Sequence, residues 1–276
     1  MITIVTDSSS GLTRAAARRL GARVVPMYYQ VGGRTYRDGY ADENGDYFPV
    51  IFQNRYLPRT VQTPVEDFKA MFSMLCQEEE NQVLCLTISS RLSGTYQNAL
   101  QAAADFGGRV KVVDSLTVAG ALALLVEQAR HAIRQGAGLE EAARLVEEAR
   151  LRTRLYFTVG SMANLRRSRR LGTVRQGMGN ILNVQPVLTC RQGLVHSCKM
   201  VRGQRLLLAE LAALVPENAR QVVLHFQRNK KAAQQLLSAL KLRCRQAQFS
   251  MDVLGPVLSI HLGEGVLAVA WLESAE

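Results

Sequence analysis

Ser89-Ser90-Arg91-Leu92-Ser93-Gly94-Thr95-Tyr96-Gln97 is the stretch whose reading decides the fold. An apolar run, Val83-Leu84-Cys85-Leu86-Thr87-Ile88, leads into it. A helix-forming run, Asn98-Ala99-Leu100-Gln101-Ala102-Ala103-Ala104, leads out. A short apolar run bounded by a turn predicts a buried strand. Here that strand ends in a hydroxyl-rich turn that opens a helix. The first N–H groups of a helix have no partner within it, and the positive end of its dipole lies with them. Such a turn suits a phosphate or a carboxylate. Ser93 or Ser90 acting only as a helix cap explains the same residues equally well.

Outward from this stretch the pattern repeats. Ile2 to Val5 reads as a strand, and Leu12 to Leu20 as an amphipathic helix ending at Gly21. Val24 to Tyr29, the Gly32-Gly33 turn and Thr35-Tyr36 suggest a hairpin. Asn44 to Gln53 reads as a helix or loop. Pro64 to Glu80 reads as a helix, with Pro64 in the first turn and acids at Glu66 and Asp67. Val110 to Val113 is a further short strand. Thr117 to Arg134 and Leu139 to Leu151 are two helices split by Gly136-Ala137-Gly138. This alternation predicts a parallel sheet covered by helices, an α/β region over residues 1–150. In open sheets of that kind ligands sit beyond the C-terminal strand ends. Asp7-Ser8-Ser9, Ser89-Ser90 and Asp114-Ser115 all lie there, which favours one shared site.

Residues 151–276 change character. Leu155–Val159, Val184–Thr189, Leu194–Met200, Gln221–Phe226, Phe249–Leu254, Val257–His261 and Val266–Trp271 read as strands. Arg202–Leu214 and Asn229–Leu242 read as helices. A mixed or antiparallel sheet follows, so this half is expected to be α+β.

Net charge is +11, and its placement says more than its size. From Leu151 to Ala209 there is no Asp or Glu. That stretch holds Arg152, Arg154, Arg166, Arg167, Arg169, Arg170, Arg175, Arg191, Lys199, Arg202 and Arg205, which together equal the whole excess. A gathered basic face implies an anionic partner: phosphate, an acidic protein surface or nucleic acid. No apolar run approaches the roughly 20 residues of a membrane span. Met1 to Asp7 reads as a strand and not as a leader peptide. Five cysteines with no CxxC pair read as reduced, mostly buried thiols. A cytoplasmic protein is expected from these features.

Several words along the chain resemble one family in order. They are Ile4-Val5-Thr6-Asp7-Ser8-Ser9, Thr60-Val61-Gln62-Thr63-Pro64, the Ser93-Gly94-Thr95 turn and Asp114-Ser115. Leu165-Arg166-Arg167-Ser168-Arg169-Arg170-Leu171, Asn180-Ile181-Leu182-Asn183-Val184-Gln185-Pro186 and Gly255-Pro256-Val257-Leu258-Ser259-Ile260-His261-Leu262-Gly263 complete the set. The chain is thereby similar to the DegV family of bacterial fatty-acid-binding proteins, which includes the binding subunit of fatty acid kinase. The resemblance implies two domains with a long-chain fatty acid between them. It also implies a separate catalytic subunit that phosphorylates the bound carboxylate. By the resemblance, Ser93, Thr60 and His261 hold that carboxylate, with the helix-start N–H groups near Gly94 beside them, and Arg170 serves the head group or the docking of the kinase. The arginine face, Arg166, Arg167, Arg169 and Arg202, is expected to dock that kinase.

The chemistry of these residues fits that role. A buried carboxylate needs donors or it protonates. Ser93, Thr60 and the N–H groups near Gly94 can donate, and so can His261, which would add charge if protonated. On its own residues, His261 between Ile260 and Leu262 reads equally as a core histidine. The chain departs from the family pattern at Val61, at Ser168-Arg169 where glycine is common, and at Gln185 where lysine is frequent.

Two other classes were weighed. The basic stretch favours nucleic acid, as an alternative binding or regulatory role for the arginine-rich face. No aromatic is interleaved within Arg166 to Arg175, and no helix-turn-helix, zinc or RRM signature occurs. For an independent enzyme, no G-x-S-x-G surrounds Ser93, no P-loop occurs, and His131, His196, His225 and His261 lack metal-ligand spacing. The expectation is a carrier with no catalytic residues, no metal and no cofactor beyond the bound fatty acid.

Overall fold

The structure, a computed structural model, describes residues 1–160, 162–168, 170 and 184–273. Strand β1 (Ile2–Asp7) opens the chain and ends in a 3-10 turn over Ser8–Ser10. Helix α1 (Arg14–Leu20) is capped by Thr13, whose Oγ1 accepts the Ala16 N–H at 3.2 Å, and stops at Gly21. Strand β2 (Ala22–Val25) follows. Pro26 then breaks the run that was expected to form one strand, because proline has no N–H to give a ladder. Beyond it, β3 (Met27–Val31) and β4 (Arg34–Asp38) form the expected hairpin, with Gly32 and Gly33 at φ 57° and 79°. Helix α2 (Phe48–Phe52) and strand β5 (Arg59–Val61) come next, and β5 pairs with β3.

Helix α3 (Val65–Leu75) stops short of the expected Glu80. Glu78, Glu79 and Glu80 would set three negative charges against the negative end of its dipole. Then come β6 (Gln82–Thr87), α4 (Thr95–Ala103), β7 (Val110–Asp114), α5 (Gly120–Arg134) and α6 (Leu139–Arg152). The four strands form a wholly parallel sheet in the order β2-β1-β6-β7. Alternate residues leave opposite faces of a strand. Ile4, Leu84 and Leu86 therefore pack on α5 and α6, while Val5, Val83 and Cys85 pack on Phe68 and Phe72 of α3. Both faces are buried, which is why these strands read as continuous apolar runs.

The remainder comprises β8 (Thr153–Phe157), α7 (Met162–Arg167), β9 (Val184–Arg191), β10 (Leu194–Arg202) and α8 (Gln204–Leu214). After these come β11 (Gln221–Phe226), α9 (Lys230–Arg243), β12 (Gln248–Val253), α10 (Pro256–Leu262) and β13 (Leu267–Leu272). Six strands form a second sheet, β10-β9-β8-β13-β11-β12, antiparallel except between β11 and β12. Helices α8 and α9 cover one face. Helix α5 lies against the other. It gives Leu122 and Leu125 to the parallel sheet, and Ala121 and Leu124 to the six-stranded one. Gly120 admits this approach, since a Cβ there would lie 2.8 Å from Val223.

One element is corrected. Val257 to His261, read as a strand, is helix α10. A short apolar run does not distinguish the two by its period. Here Pro256 sets the first turn, and Gly255 and Gly263 bound it. Val257 and Ile260 of α10 are buried against Met27, Tyr29 and Val31 of the hairpin. Among the described residues, no helix is long and apolar enough to cross a membrane.

Candidate functional site

An apolar cavity lies beneath α10 and the loop that follows β6. Its walls include Met27 of β3, Ile88 and Leu92 after β6, Val118 and Ala119 before α5, Leu155 and Phe157 of β8, Leu165 of α7, Val195 of β10, Ala268 of β13, and Val257, Leu258 and Leu262 of α10. Its polar lining is Thr60, Gln62, Ser93, Gly94, Ser168, Arg170 and His261. Four of these, Thr60, Ser168, Arg170 and His261, also border a wide open groove. The polar end is therefore the mouth, and the apolar end is interior. The structure thus brings Ser93, Gly94, Thr60, His261 and Arg170 to one place, from four separate parts of the chain.

The mouth is held by specific bonds. Thr60 Oγ1 and His261 Nε2 lie 2.9 Å apart. Ser93 Oγ lies 2.9 Å from Thr95 Oγ1 and accepts the Thr95 N–H at 3.3 Å. Gly94 stands at the N-cap of α4 and has no side chain to cap it, so the serine bond to that helix is the one from Ser93 to the Thr95 N–H. Ser90 lies four residues before that N-cap, and its N–H donates to Asp114 Oδ1 at 3.1 Å. Gly94 lets Gln62 lie close: a Cβ there would fall 2.1 Å from Gln62 Oε1, so a side chain would displace the Gln62 amide. Arg170 Nε donates to Leu92 O at 2.6 Å, and Nη1 to Ser168 O at 3.0 Å.

The electrostatics depart from expectation at His261. Burial first, then the nearby Arg170 charge, pulls its imidazole down to about 3. The ring is neutral at neutral pH and adds no charge to the site. A neutral Nε2–H can donate to Thr60 Oγ1, which leaves the threonine proton for a ligand. The positive charge at the mouth is Arg170, whose guanidinium is pushed below its ordinary value by burial alone. Among the described residues no carboxylate pairs with it; both of its hydrogen-bond acceptors are neutral carbonyls.

The three hydroxyl-bearing words do not form the shared site that was expected. None of Asp7, Ser8, Ser9, Ser89, Ser90, Asp114 or Ser115 lines the cavity. The side chains of Asp7, Ser8, Ser89, Asp114 and Ser115 fasten strand ends. Asp7 accepts the Ser9 N–H at 2.9 Å and the Ile88 N–H at 2.6 Å, and burial raises its carboxyl. Ser89 Oγ donates to Gly193 O at 2.9 Å, and Ser8 Oγ accepts the Met27 N–H at 3.1 Å. These ties set Ile88 and Met27, which do line the cavity. Ser8→Ala leaves the buried Met27 N–H without its acceptor, so a loss of about 1–3 kcal/mol in stability is expected. Urea unfolding should show a lower midpoint at unchanged slope. A ligand-binding role for Ser8 would appear instead as lost affinity at unchanged stability.

The basic stretch is acid-free in sequence but not in space. Arg154 pairs with Glu273 and Lys199 with Glu210, each at 2.6 Å. Arg166 and Arg167 are exposed on α7, and Arg202 is exposed at the end of β10. Only Arg167 of these borders the groove, where it bonds Asn164. Arg169 and Arg175 lie outside the described residues. Two arginines that charge clustering missed, Arg55 and Arg59, complete the groove with Arg167 and Arg170. They sit in the electrically balanced part of the chain, so composition could not flag them. Gln62 and Ser168 were also missed as lining residues, although both stand within words quoted above.

The comparisons agree with this architecture. The model of the DegV family matches residues 1–274. A DegV domain-containing protein of Deinococcus radiodurans is 32% identical over 98% of this chain and 97% of its own length. A solved DegV lipid-binding protein from Thermotoga maritima superposes with a TM-score of 0.87 at 26% identity, covering 98% of both chains. A DegV family protein from Thermus thermophilus, solved for its fatty acid binding, superposes with a TM-score of 0.84 at 30% identity, covering 99% of both.

Proposed function

The chain belongs to the DegV family, and on that premise we propose that it carries a long-chain fatty acid in the apolar cavity and presents it to a separate kinase. The carboxylate lies at the mouth among Ser93, Thr60, the N–H groups near Gly94, His261 and Arg170. Arg170 carries the reading. A half-buried guanidinium with no carboxylate partner among the described residues is partly desolvated without a counter-charge, and a ligand carboxylate supplies one. Hydrogen bonds to the ionised head group contribute about 1.5–3 kcal/mol each. The acyl chain contributes about 0.8 kcal/mol per buried CH₂ against the walls.

In the transfer step, a carboxylate oxygen attacks the terminal phosphorus of a nucleotide held by the partner. The new C–O–P bond forms as the bond to the leaving nucleotide oxygen breaks. The carrier's part is to hold the head group at an open mouth and to offset the gathering negative charge with Arg170. Arg55, Arg59 and Arg167 give the groove the charge that an acidic, phosphate-bearing partner requires. Arg166, Arg169 and Arg202 extend the docking surface in this reading. The carrier works in the cytoplasm, and no cofactor of its own is required.

Mass spectrometry of the purified protein, native and after organic extraction, tests the reading. A fatty acid is expected at one per chain in the wild type, and depleted in a folded Ser93→Ala/His261→Ala variant. A protein that arrives empty and takes up no added fatty acid overturns it.

A further inference from the structure

Helix α10 bears the head-group histidine, and the three-stranded sheet β4-β3-β5 grips it at both ends. Near its C-terminus, His261 meets Thr60 of β5 at 2.9 Å. At its N-terminus stands Asp38, the last residue of β4 and only 1% exposed. Asp38 Oδ2 accepts the Val257 N–H at 3.1 Å, and Oδ1 accepts the Asn44 side-chain N–H at 3.0 Å. Gly255 leaves room for this contact, since a Cβ there would lie 2.9 Å from Oδ1. Between the two ends, the Tyr47 hydroxyl bonds Leu254 O and lies 3.1 Å from Ser259 Oγ.

We propose that Asp38 is a positioning residue of the head-group site: its carboxylate seats α10 on the three-stranded sheet and so sets the approach of His261 to Thr60 and to the ligand. The ligand half of this statement rests on the fatty-acid reading; the Asp38-to-α10 half does not.

Among the described residues Asp38 has no cation partner, so its hold on α10 depends on its own ionisation. Burial lifts Asp38 to about 7, with Asp7 at the end of β1 adding to the rise and the Val257 and Asn44 bonds opposing it. The other ionisable groups facing it are Tyr29 of β3 and Tyr47 ahead of α2, both pushed up to about 12 and so neutral. When Asp38 is ionised, both oxygens accept. Protonation turns one acceptor into a hydroxyl facing an N–H, which weakens one of the two bonds. With Asp38 still buried, its bond to the Val257 N–H therefore weakens as pH falls through neutrality, and ligand affinity falls with it. His261 stays neutral across that range, so it is not the source of the step. Global stability moves the other way. A carboxyl raised from 3.8 in the unfolded chain to about 7 contributes most below 3.8, and that contribution is lost as pH rises to about 7. Weaker binding in mild acid thus cannot be ascribed to unfolding through this group.

The test uses hexadecyl sulfate, whose head group stays ionised, beside palmitate. From about pH 8.5 to about pH 5.5, wild-type affinity for the sulfate is expected to fall about tenfold with a midpoint near 7, as the weakening of one hydrogen bond implies. The ring signals of His261 in NMR should move at the same midpoint, with or without ligand. Asp38→Asn should be flat in both. Asn44→Ala removes a donor from the carboxylate and should move both midpoints to higher pH; it carries the test if Asp38→Asn fails to fold. A wild type flat in both readouts, a step that survives in Asp38→Asn, or an unmoved midpoint in Asn44→Ala overturns the proposal. A wild type that binds neither amphiphile overturns the fatty-acid reading, while the ligand-free His261 signal still decides whether Asp38 governs α10.

Discussion

Arg170→Met is expected to weaken palmitate binding by about 2–4 kcal/mol, roughly 30- to 1,000-fold in Kd, while leaving folding stability within about 1 kcal/mol of wild type. The two halves of this expectation have one cause. In the free protein the half-buried guanidinium bonds two neutral carbonyls, Leu92 O and Ser168 O. Its desolvation is offset only when an anion arrives. Methionine keeps the apolar stem and removes the charge, so the empty protein loses two modest hydrogen bonds and is relieved of a half-buried cation. The ligand-bound protein loses the charge-assisted contact between the guanidinium and the head group. Titration calorimetry with palmitate and urea unfolding of the same variant check both halves. Equal losses in binding and stability would make Arg170 a structural tie between the loop after β6 and the segment after α7. Unchanged affinity, with unchanged phosphorylation by the cognate kinase, would remove Arg170 from the site altogether.

What the sequence disclosed depends on the range of the interaction involved. The parallel half was legible because each of its signals is local. Runs such as Val83–Ile88 are buried on both faces, Gly21 stops α1, and Gly32-Gly33 turns the hairpin. Helix α10 was misread because seven residues carry too little period to separate helix from strand; the punctuation at Gly255, Pro256 and Gly263 was the better signal. The site was reached through words that resemble a family, since nothing local says that residues 60, 93, 170 and 261 converge. The misreadings are instructive in the same way. Asp7, Ser8 and Ser89 have the right chemistry at the right end of the sheet, yet they are spent on backbone N–H and C=O groups that the strand ends leave bare. The acid-free stretch looked like one unpaired face because Glu273 and Glu210, which neutralise Arg154 and Lys199, lie outside it. Asp38 had no motif at all. Its role exists only where β4 meets α10.

Shortening the bound acid from sixteen carbons to twelve should cost about 3 kcal/mol, a roughly 200-fold rise in Kd, at about 0.8 kcal/mol for each CH₂ withdrawn from the walls. This effect should be independent of the head group. Leu155, Phe157, Val195 and Ala268 line the interior end, and Arg170 lies at the mouth. Contributions that share no partner add. A series of saturated acids measured below their micelle concentrations, in wild type and in Arg170→Met, should therefore give two parallel lines of affinity against chain length. The vertical gap between them measures the guanidinium, and the common slope measures the cavity. The length at which the slope flattens marks where the chain reaches the floor. Lines that converge would mean that the head group steers the tail, so that losing Arg170 lets the acid bind elsewhere. A slope near zero in the wild type would place the acyl chain outside the cavity, and would overturn the assignment of its apolar walls while leaving the charge at the mouth to be explained by another anion.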